Sequence, residues 1–170
     1  MSDEELRAEP IKSIGGQAVE TVVDAKRYLR DNWEKGTDCP CCGQLVKLYK
    51  RKLTSGMARA LISLYKETKG DIHTYVHISR LGRLNGGEFA QLKRWGLIWD
   101  QESSDPDVQR TSGKWAITAK GVQFVTGLAA VPKYVYTYNM KTIGKSENQL
   151  TTISQALGNR FNYADLMAGV

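Results

Sequence analysis

Apolar residues recur at steps of three or four positions between residues 17 and 36, which predicts an amphipathic helix. The apolar series is Ala18, Val22, Ala25, Leu29 and Trp33. Such a face needs a partner surface, which is either the core of the protein or a second copy of the chain in a homodimer. After a cysteine-rich turn, residues 45–53 alternate imperfectly between apolar and polar side chains and are predicted as a strand.

A second helix is predicted over residues 57–66, with Thr54 or Ser55 as its N-cap. Its inner face consists of Met57, Ala58, Leu61, Ile62 and Tyr65. Gly70 is expected to stop this helix. A linking segment then leads into a brief helix at residues 79–84.

A further helix is predicted from Asn85 to Trp95, because Asn85 and Glu88 have the spacing of a capping box and Gly96 follows as a terminator. Two short strands, joined by a loop rich in turn-forming residues, and another helix should follow it. These three elements are expected at residues 97–99, 115–118 and 119–126.

Three tyrosines alternate with other residues in the C-terminal part of the chain, as in a strand with one aromatic face. They are Tyr134, Tyr136 and Tyr138. Stacked tyrosines can hold unpaired bases, but packing in a core or at an edge is the commoner reason for such a stripe. Residues 144–146 are predicted as a turn, and residues 151–157 and 163–167 as short helices.

Positive charge is concentrated in the middle of the chain. The formal net charge is +6, and residues 39–100 hold 11 Lys and Arg against 4 Asp and Glu, whereas residues 1–38 hold 6 against 9. Concentrated basic residues are typical of a surface that binds phosphate, although a solvated basic face on an ordinary protein gives the same counts. Lys50, Arg51 and Lys52 form a basic cluster and are candidate phosphate contacts.

The composition argues against several functional classes. No run of about 18 apolar residues could span a membrane, and the acidic residues 1–5 do not lead into the apolar stretch of a secretory signal. We therefore expect a cytoplasmic protein. The sequence has no Gly-rich phosphate loop, and its two histidines have no evident carboxylate or serine partner. A binding protein is thus favoured over an enzyme.

Two motifs resemble parts of winged helix-turn-helix domains of the MarR-like type. Residues 91–98, Q-L-K-R-W-G-L-I, resemble the end of a recognition helix that enters the first strand of the wing. Residues 115–121, W-A-I-T-A-K-G, resemble the segment that closes the wing. The order of the predicted elements matches as well, and the resemblance covers residues 54–127.

The resemblance implies an α+β fold with a winged helix-turn-helix core at residues 54–130. An N-terminal amphipathic helix at residues 1–38 and a Cys-rich turn with a basic strand at residues 39–53 would precede this core. A C-terminal strand-and-helix extension at residues 131–170 would follow it.

The resemblance also implies a regulatory protein that binds duplex DNA, because the second helix of a helix-turn-helix enters the major groove. On a helical wheel Phe89 and Leu92 face the core, whereas Gln91 and Arg94 face outward. Gln91 and Arg94 are therefore candidate base readers, since Gln pairs with adenine and Arg with guanine. Lys93, at the flank, is a candidate phosphate contact. The alternative is a solvated helix face with ordinary charges.

The predicted wing loop is acidic, which favours a second interpretation. It holds Glu102, Asp105 and Asp107 against Arg110, whereas a wing that binds phosphate would normally be basic. The alternative function is therefore a protein–protein adaptor or inhibitor that acts on a host complex, as in a small phage or mobile-element protein.

Residues 39–43, C-P-C-C-G, resemble a zinc knuckle in which Cys39 and Cys42 are ligands. A tight turn lets two thiolates approach one ion at about 2.3 Å, and a glycine allows the backbone to fold beneath the metal. Three cysteines this close together do not suit a disulfide framework. A turn with free thiols is the alternative.

A structural zinc site needs four ligands, and Cys41, His73 and His77 are the further candidates. If the segment that carries the histidines is extended, the two imidazoles lie about 13 Å apart and cannot share an ion. We therefore predict zinc bound by Cys39, Cys42 and one histidine, of which His77 is preferred. Cys41 or a partner chain would complete the shell.

Overall fold

The computed structural model describes residues 21–82, 86–101, 107 and 112–169. These residues form a mixed α+β structure with six α-helices and four small sheets. They fall into two compact units, one that ends at Tyr49 and one that begins at Lys50. None of the helices described is long and apolar enough to cross a bilayer.

Some predicted features lie outside the described residues. These are the start of the first helix at residues 17–20, the N-cap Asn85, and the acidic residues Glu102 and Asp105 with Arg110.

The N-terminal unit contains one helix and a short hairpin. Its elements are α1 (Val22–Asn32), β1 (Thr37–Asp38) and β2 (Leu45–Val46). Thr21 caps α1, and Ala25 and Tyr28 are buried with Leu29 packed against them. The predicted helix is confirmed over its described part, but its apolar face is shifted, since Val22 is 65% exposed.

The C-terminal unit contains five helices, two 3-10 helices and most of the strands that the structure describes. The boundary between the units falls within its first strand, β3 (Tyr49–Lys52). The elements up to the second sheet are α2 (Ser55–Thr68), β4 (Val76–His77), a 3-10 helix (Ile78–Leu81), α3 (Gly86–Ala90), a second 3-10 helix (Gln91–Trp95), β5 (Ile98–Asp100), β6 (Lys114–Ile117) and α4 (Ala119–Val125). They are followed by β7 (Val131–Pro132), β8 (Tyr134–Tyr138), β9 (Lys141–Lys145), β10 (Leu150–Thr151), α5 (Ile153–Leu157) and α6 (Tyr163–Met167).

Helix α2 is the central helix of this unit. The Thr54 side chain caps it by accepting a hydrogen bond from the Met57 N–H. The predicted inner residues Met57, Ala58, Leu61 and Ile62 are buried. Ala60 and Leu64 are buried as well, because α5 and α6 pack against α2 in addition to α3, α4 and β6. A helix that is apolar around most of its circumference is typical of a domain core.

The predicted hairpin at residues 97–118 is confirmed. β5 and β6 pair antiparallel with Ile98 opposite Ile117, and β4 adds to the other edge of β6 with Val76 opposite Trp115. The strand order is therefore β4-β6-β5. Gly96 ends the preceding 3-10 helix in the left-handed conformation, with a φ of 72°, which is the role predicted for it.

A second three-stranded sheet has the order β3-β8-β9. Its β8–β9 turn is formed by Asn139 and Met140, whose φ values are 44° and 65°. The prediction of a turn at residues 144–146 is wrong, because Gly144 pairs with Tyr136 within the sheet. A Gly-Lys-Ser sequence suits a turn locally, but the antiparallel partner strand keeps its backbone extended.

The segment after residue 130 shares one core with the elements before it. Val131, Val135, Ile153 and Leu157 are buried in the same apolar cluster as α2. The indole N–H of Trp95 donates to the carbonyl of Pro132 at 2.7 Å. Trp95 is fully buried, and this hydrogen bond satisfies its indole N–H inside the core.

Candidate nucleic-acid interface

The basic cluster on β3 is exposed along its whole length. The ammonium of Lys50 lies 4.1 Å from the centroid of the Tyr134 ring. The guanidinium of Arg51 instead donates from Nε to the Thr137 hydroxyl at 3.4 Å. Tyr134 and Thr137 lie on opposite faces of β8, because side chains alternate along a strand. The side chains of Lys50 and Arg51 therefore lie on opposite faces of the sheet.

Arg94, the predicted guanine reader, is 6% exposed and does not face outward. Its Nε donates to Gln91 at 2.6 Å, and its Nη1 donates to Asp107 at 3.0 Å and to Thr142 at 2.9 Å. Its Nη2 donates to the carbonyl of Met140 at 2.9 Å. The outward orientation predicted from the helical wheel is wrong, because the β8–β9 hairpin covers this side. The second half of the helix is also 3-10, with about three residues per turn.

Lys93, the predicted phosphate contact beside Arg94, is 5% exposed. Its ammonium lies 5.9 Å from the centroid of the Trp115 ring and has no hydrogen-bond partner among the described residues. Burial lowers the pKa of Arg94, the nearby Arg51 acts in the same direction, and Asp107 opposes both. Neither Lys93 nor Arg94 is thus placed to contact bases or phosphates.

Gln91, the third predicted reader on this helix, is half-buried and accepts the hydrogen bond from Arg94. It lines a cavity of about 260 Å³ together with residues of β3 and α2. The other lining residues are Lys50, Arg51, Lys52, Thr54, Met57, Glu88 and Trp95. The lining thus combines basic residues with the carboxylate of Glu88, whereas the strands of the β3–β8–β9 sheet contain no acidic residue. The exposed side of β3 is therefore the better phosphate site.

Three further basic residues, which the sequence motifs did not single out, also lie on or beside the β3–β8–β9 sheet. Lys133, Lys141 and Lys145 are exposed, and the ammonium of Lys133 lies 5.6 Å from the Tyr134 ring centroid. The sequence does show these lysines around the alternating tyrosines, but their position alone does not predict a shared basic surface. That surface depends on the pairing of β8 with the distant strand β3, which brings the two basic segments together.

The cysteine-rich turn joins β1 and β2, which pair antiparallel with Asp38 opposite Leu45. The Gly43 N–H donates to the carbonyl of Cys39 at 2.8 Å, and Gly43 has a φ of +73°. The backbone N–H groups of Cys41 and Cys42 bond to the Cys39 sulfur and lower the pKa of its thiol. Desolvation raises the pKa of Cys41, and the neighbouring Cys39 acts in the same direction.

A cysteine whose sulfur accepts two N–H groups is more readily deprotonated, and the thiolate is the form of cysteine that binds metal. The other predicted ligand, His77, belongs to the C-terminal unit, where its Nδ1 lies 2.8 Å from the Ser79 hydroxyl. In the part of the chain that the structure describes, no group of three or more His, Cys, Asp or Glu side chains could hold a metal ion. Zinc binding therefore stays a prediction.

No protein-family model, curated protein or solved structure matches the chain. The chemistry that the surface offers is that of exposed Lys and Arg side chains beside tyrosine rings. Such cations bind phosphate oxygens through charge-assisted hydrogen bonds.

Proposed function

We propose that this protein binds nucleic acid through the phosphate backbone and acts by binding rather than by catalysis. The observation that carries the proposal is the charge of the β3–β8–β9 sheet. Its three strands contain five Lys and Arg residues and no Asp or Glu. A surface rich in Lys and Arg attracts nucleic acid because each phosphate contact releases condensed counterions.

We also propose that residues 54–130 form a winged helix. The order of helix, short helix, helix, hairpin and helix supports this proposal, as does the addition of β4 to the β5–β6 pair. The resemblance implies a duplex contact through Gln91, Lys93 and Arg94. Since two of these side chains are buried, strand β3 and not the helix is the proposed contact surface.

Fluorescence anisotropy with a labelled oligonucleotide of about 30 nucleotides, single-stranded and annealed, tests the proposal. We expect affinity to fall steeply between about 50 and about 200 mM salt. The double variant Lys50→Gln/Lys52→Gln should lower the slope of log affinity against log salt by about 1.4 to 1.8, because each phosphate contact contributes about 0.7 to 0.9.

The matched control is Lys26→Gln/Lys35→Gln, which removes the same charge from exposed positions of the N-terminal unit. This variant should keep the wild-type slope. Salt-independent or undetectable binding by the wild-type protein would overturn the proposal. An equal loss in both double variants would show that net charge, and not β3, carries the binding.

A further inference from the structure

One face of the β3–β8–β9 sheet combines aromatic rings and ammonium groups. Along β8 burial alternates strictly, with Val135 and Thr137 buried and the tyrosines on either side half-buried. Val135 belongs to the apolar core. The tyrosines therefore point to the other side of the sheet, where they are not needed to fill the core.

Lysines from both neighbouring strands lie on the same face as these tyrosines. Lys50 of β3 packs over the ring of Tyr134 at 4.1 Å, and Lys52 shares its face because it is two residues further along the strand. Lys141 of β9 is directly opposite Tyr138, so their side chains project on the same side. We call this surface the tyrosine face, and its members are Lys50, Lys52, Tyr134, Tyr136, Tyr138 and Lys141.

The ring of Tyr136 has a vacant position beside it on the tyrosine face. Its cross-strand partner is Gly144, which has no side chain. A Cβ at residue 144 would lie 3.8 Å from Cδ2 of Tyr136, which is an ordinary van der Waals distance, and Gly144 does not have a positive φ. Neither the backbone nor the packing thus requires glycine here. Its effect is to leave space beside the ring.

We propose that the tyrosine face binds an unpaired nucleic-acid strand, with bases stacked on the tyrosine rings and phosphates held by the flanking lysines. The proposal rests on the nucleic-acid-binding function proposed above and names its substrate class. A nucleotide carries a planar base and an anionic phosphate on one short unit. A row of rings with an ammonium at each flank matches both groups.

The preference for an unpaired strand follows from the accessibility of the bases. In a duplex the bases are stacked on one another inside the helix, so a flat row of tyrosine rings can meet only sugars and phosphates. In a single strand each base can leave its neighbours and stack on an aromatic side chain. Duplex DNA would then bind through the lysines alone and with lower affinity.

Competition between oligonucleotides on the full-length protein tests this inference. The probe is a labelled oligothymidylate of about 20 nucleotides, with its duplex with oligoadenylate and the matching oligouridylate as competitors. We expect the single strands to bind at least about 10-fold more tightly than the duplex. Tyr136→Ala should weaken single-strand binding by about 5- to 150-fold, the range found for loss of one stacked base.

Two further variants separate stacking from folding. Tyr136→Phe keeps the ring and should keep wild-type affinity. Gly144→Val fills the vacant position with a residue that strands favour and should weaken single-strand binding with little effect on duplex binding. Trp99→Ala is the matched control, because it removes a 42% exposed aromatic side chain from the other three-stranded sheet.

The possible results distinguish this inference from the function on which it rests. Equal binding of single strand and duplex, unchanged in Tyr136→Ala and Gly144→Val, would overturn the inference and leave nucleic-acid binding intact. Binding of neither form would overturn both. Equal losses in Tyr136→Ala and Trp99→Ala would also overturn the inference, since aromatic exposure in general would then explain the binding.

Discussion

The guanidinium of Arg94 lies 3.0 Å from the carboxylate of Asp107, and the two side chains are 6% and 26% exposed. The same carboxylate accepts a hydrogen bond from the backbone N–H of Thr142 at 2.8 Å. Asp107 of the β5–β6 loop thus connects Arg94 of the second 3-10 helix to the β8–β9 hairpin. Arg94 therefore has a structural role in this protein.

Replacing Arg94 with alanine should destabilise the protein. The change leaves Gln91, Asp107 and the carbonyl of Met140 without the donor that they share. We expect a loss of about 2 to 4 kcal/mol in the free energy of unfolding, because a partly buried carboxylate loses its counter-charge. Urea denaturation followed by circular dichroism measures this loss.

Arg94→Lys is the informative comparison for that measurement. It keeps the charge but cannot reproduce the planar fork that binds several acceptors at once, so we expect an intermediate loss of stability. A stable Arg94→Ala protein that no longer binds nucleic acid would contradict the structural role and restore Arg94 as a contact residue.

A pair of glycine substitutions should have opposite effects on stability. A Cβ at Gly121 would collide with the carbonyl oxygen of Leu97 and lie 2.7 Å from Cγ1 of Ile117. We expect Gly121→Ala to cost about 3 kcal/mol or more, because the obstacle is backbone in a packed core.

The matched change is Gly56→Ala in the first turn of α2. A Cβ there would meet its nearest neighbours, Glu88 and Thr54, at 3.7 and 3.8 Å, so the methyl group fits. The higher helix propensity of alanine should stabilise the protein by about 0.5 kcal/mol. Melting temperatures of the two variants check both predictions, and a stable Gly121→Ala protein would show that α4 can move away from β5.

Removing the segment after residue 130 should abolish cooperative folding of the C-terminal unit. A fragment of residues 50–130 loses four buried apolar residues and the carbonyl that accepts the Trp95 hydrogen bond. We expect red-shifted tryptophan emission and no cooperative melt, whereas a fragment of residues 50–170 should show both native emission and a sharp transition. A cooperative melt of the 50–130 fragment would instead show that these residues form an independent domain.

Cys39 should be the more reactive of the cysteines at positions 39 and 41. Because the pKa of Cys39 is lowered and that of Cys41 is raised, Cys39 has a larger thiolate fraction than Cys41 at the same pH. Its alkylation rate should therefore rise at lower pH than that of Cys41. Iodoacetamide labelling of metal-free protein across a pH series, read by tandem mass spectrometry, gives both profiles. Faster labelling of Cys41 throughout the series would contradict the hydrogen bonding at Cys39.

The predicted zinc site is checked by metal analysis of purified protein. If the cysteine turn binds zinc, Cys42→Ser should reduce the metal content to background, and His77→Ala should do the same if that histidine is a ligand. A zinc content below about 0.2 equivalents per wild-type chain would contradict the prediction, because structural zinc sites bind strongly enough to be filled.

The sequence by itself determined the elements whose signals are local. The cap at Thr54 and the apolar period of α2 predicted that helix, Gly96 marked the end of the helical segment before β5, and the tyrosine alternation predicted β8. Such signals suffice because caps, left-handed glycines and side-chain periodicity depend on a few neighbouring residues.

The tertiary structure decided which charged residues are available to a partner. Whether Lys93 and Arg94 face solvent depends on what covers their helix, and the β8–β9 hairpin that binds Arg94 lies more than forty residues further along the chain. The tyrosine face likewise exists because β3 pairs with β8, which places Lys50 over Tyr134. Pairing between distant strands is set by the shared core and not by local propensity. For that reason the sequence showed the basic residues and the tyrosines separately, and the fold combined them into one surface.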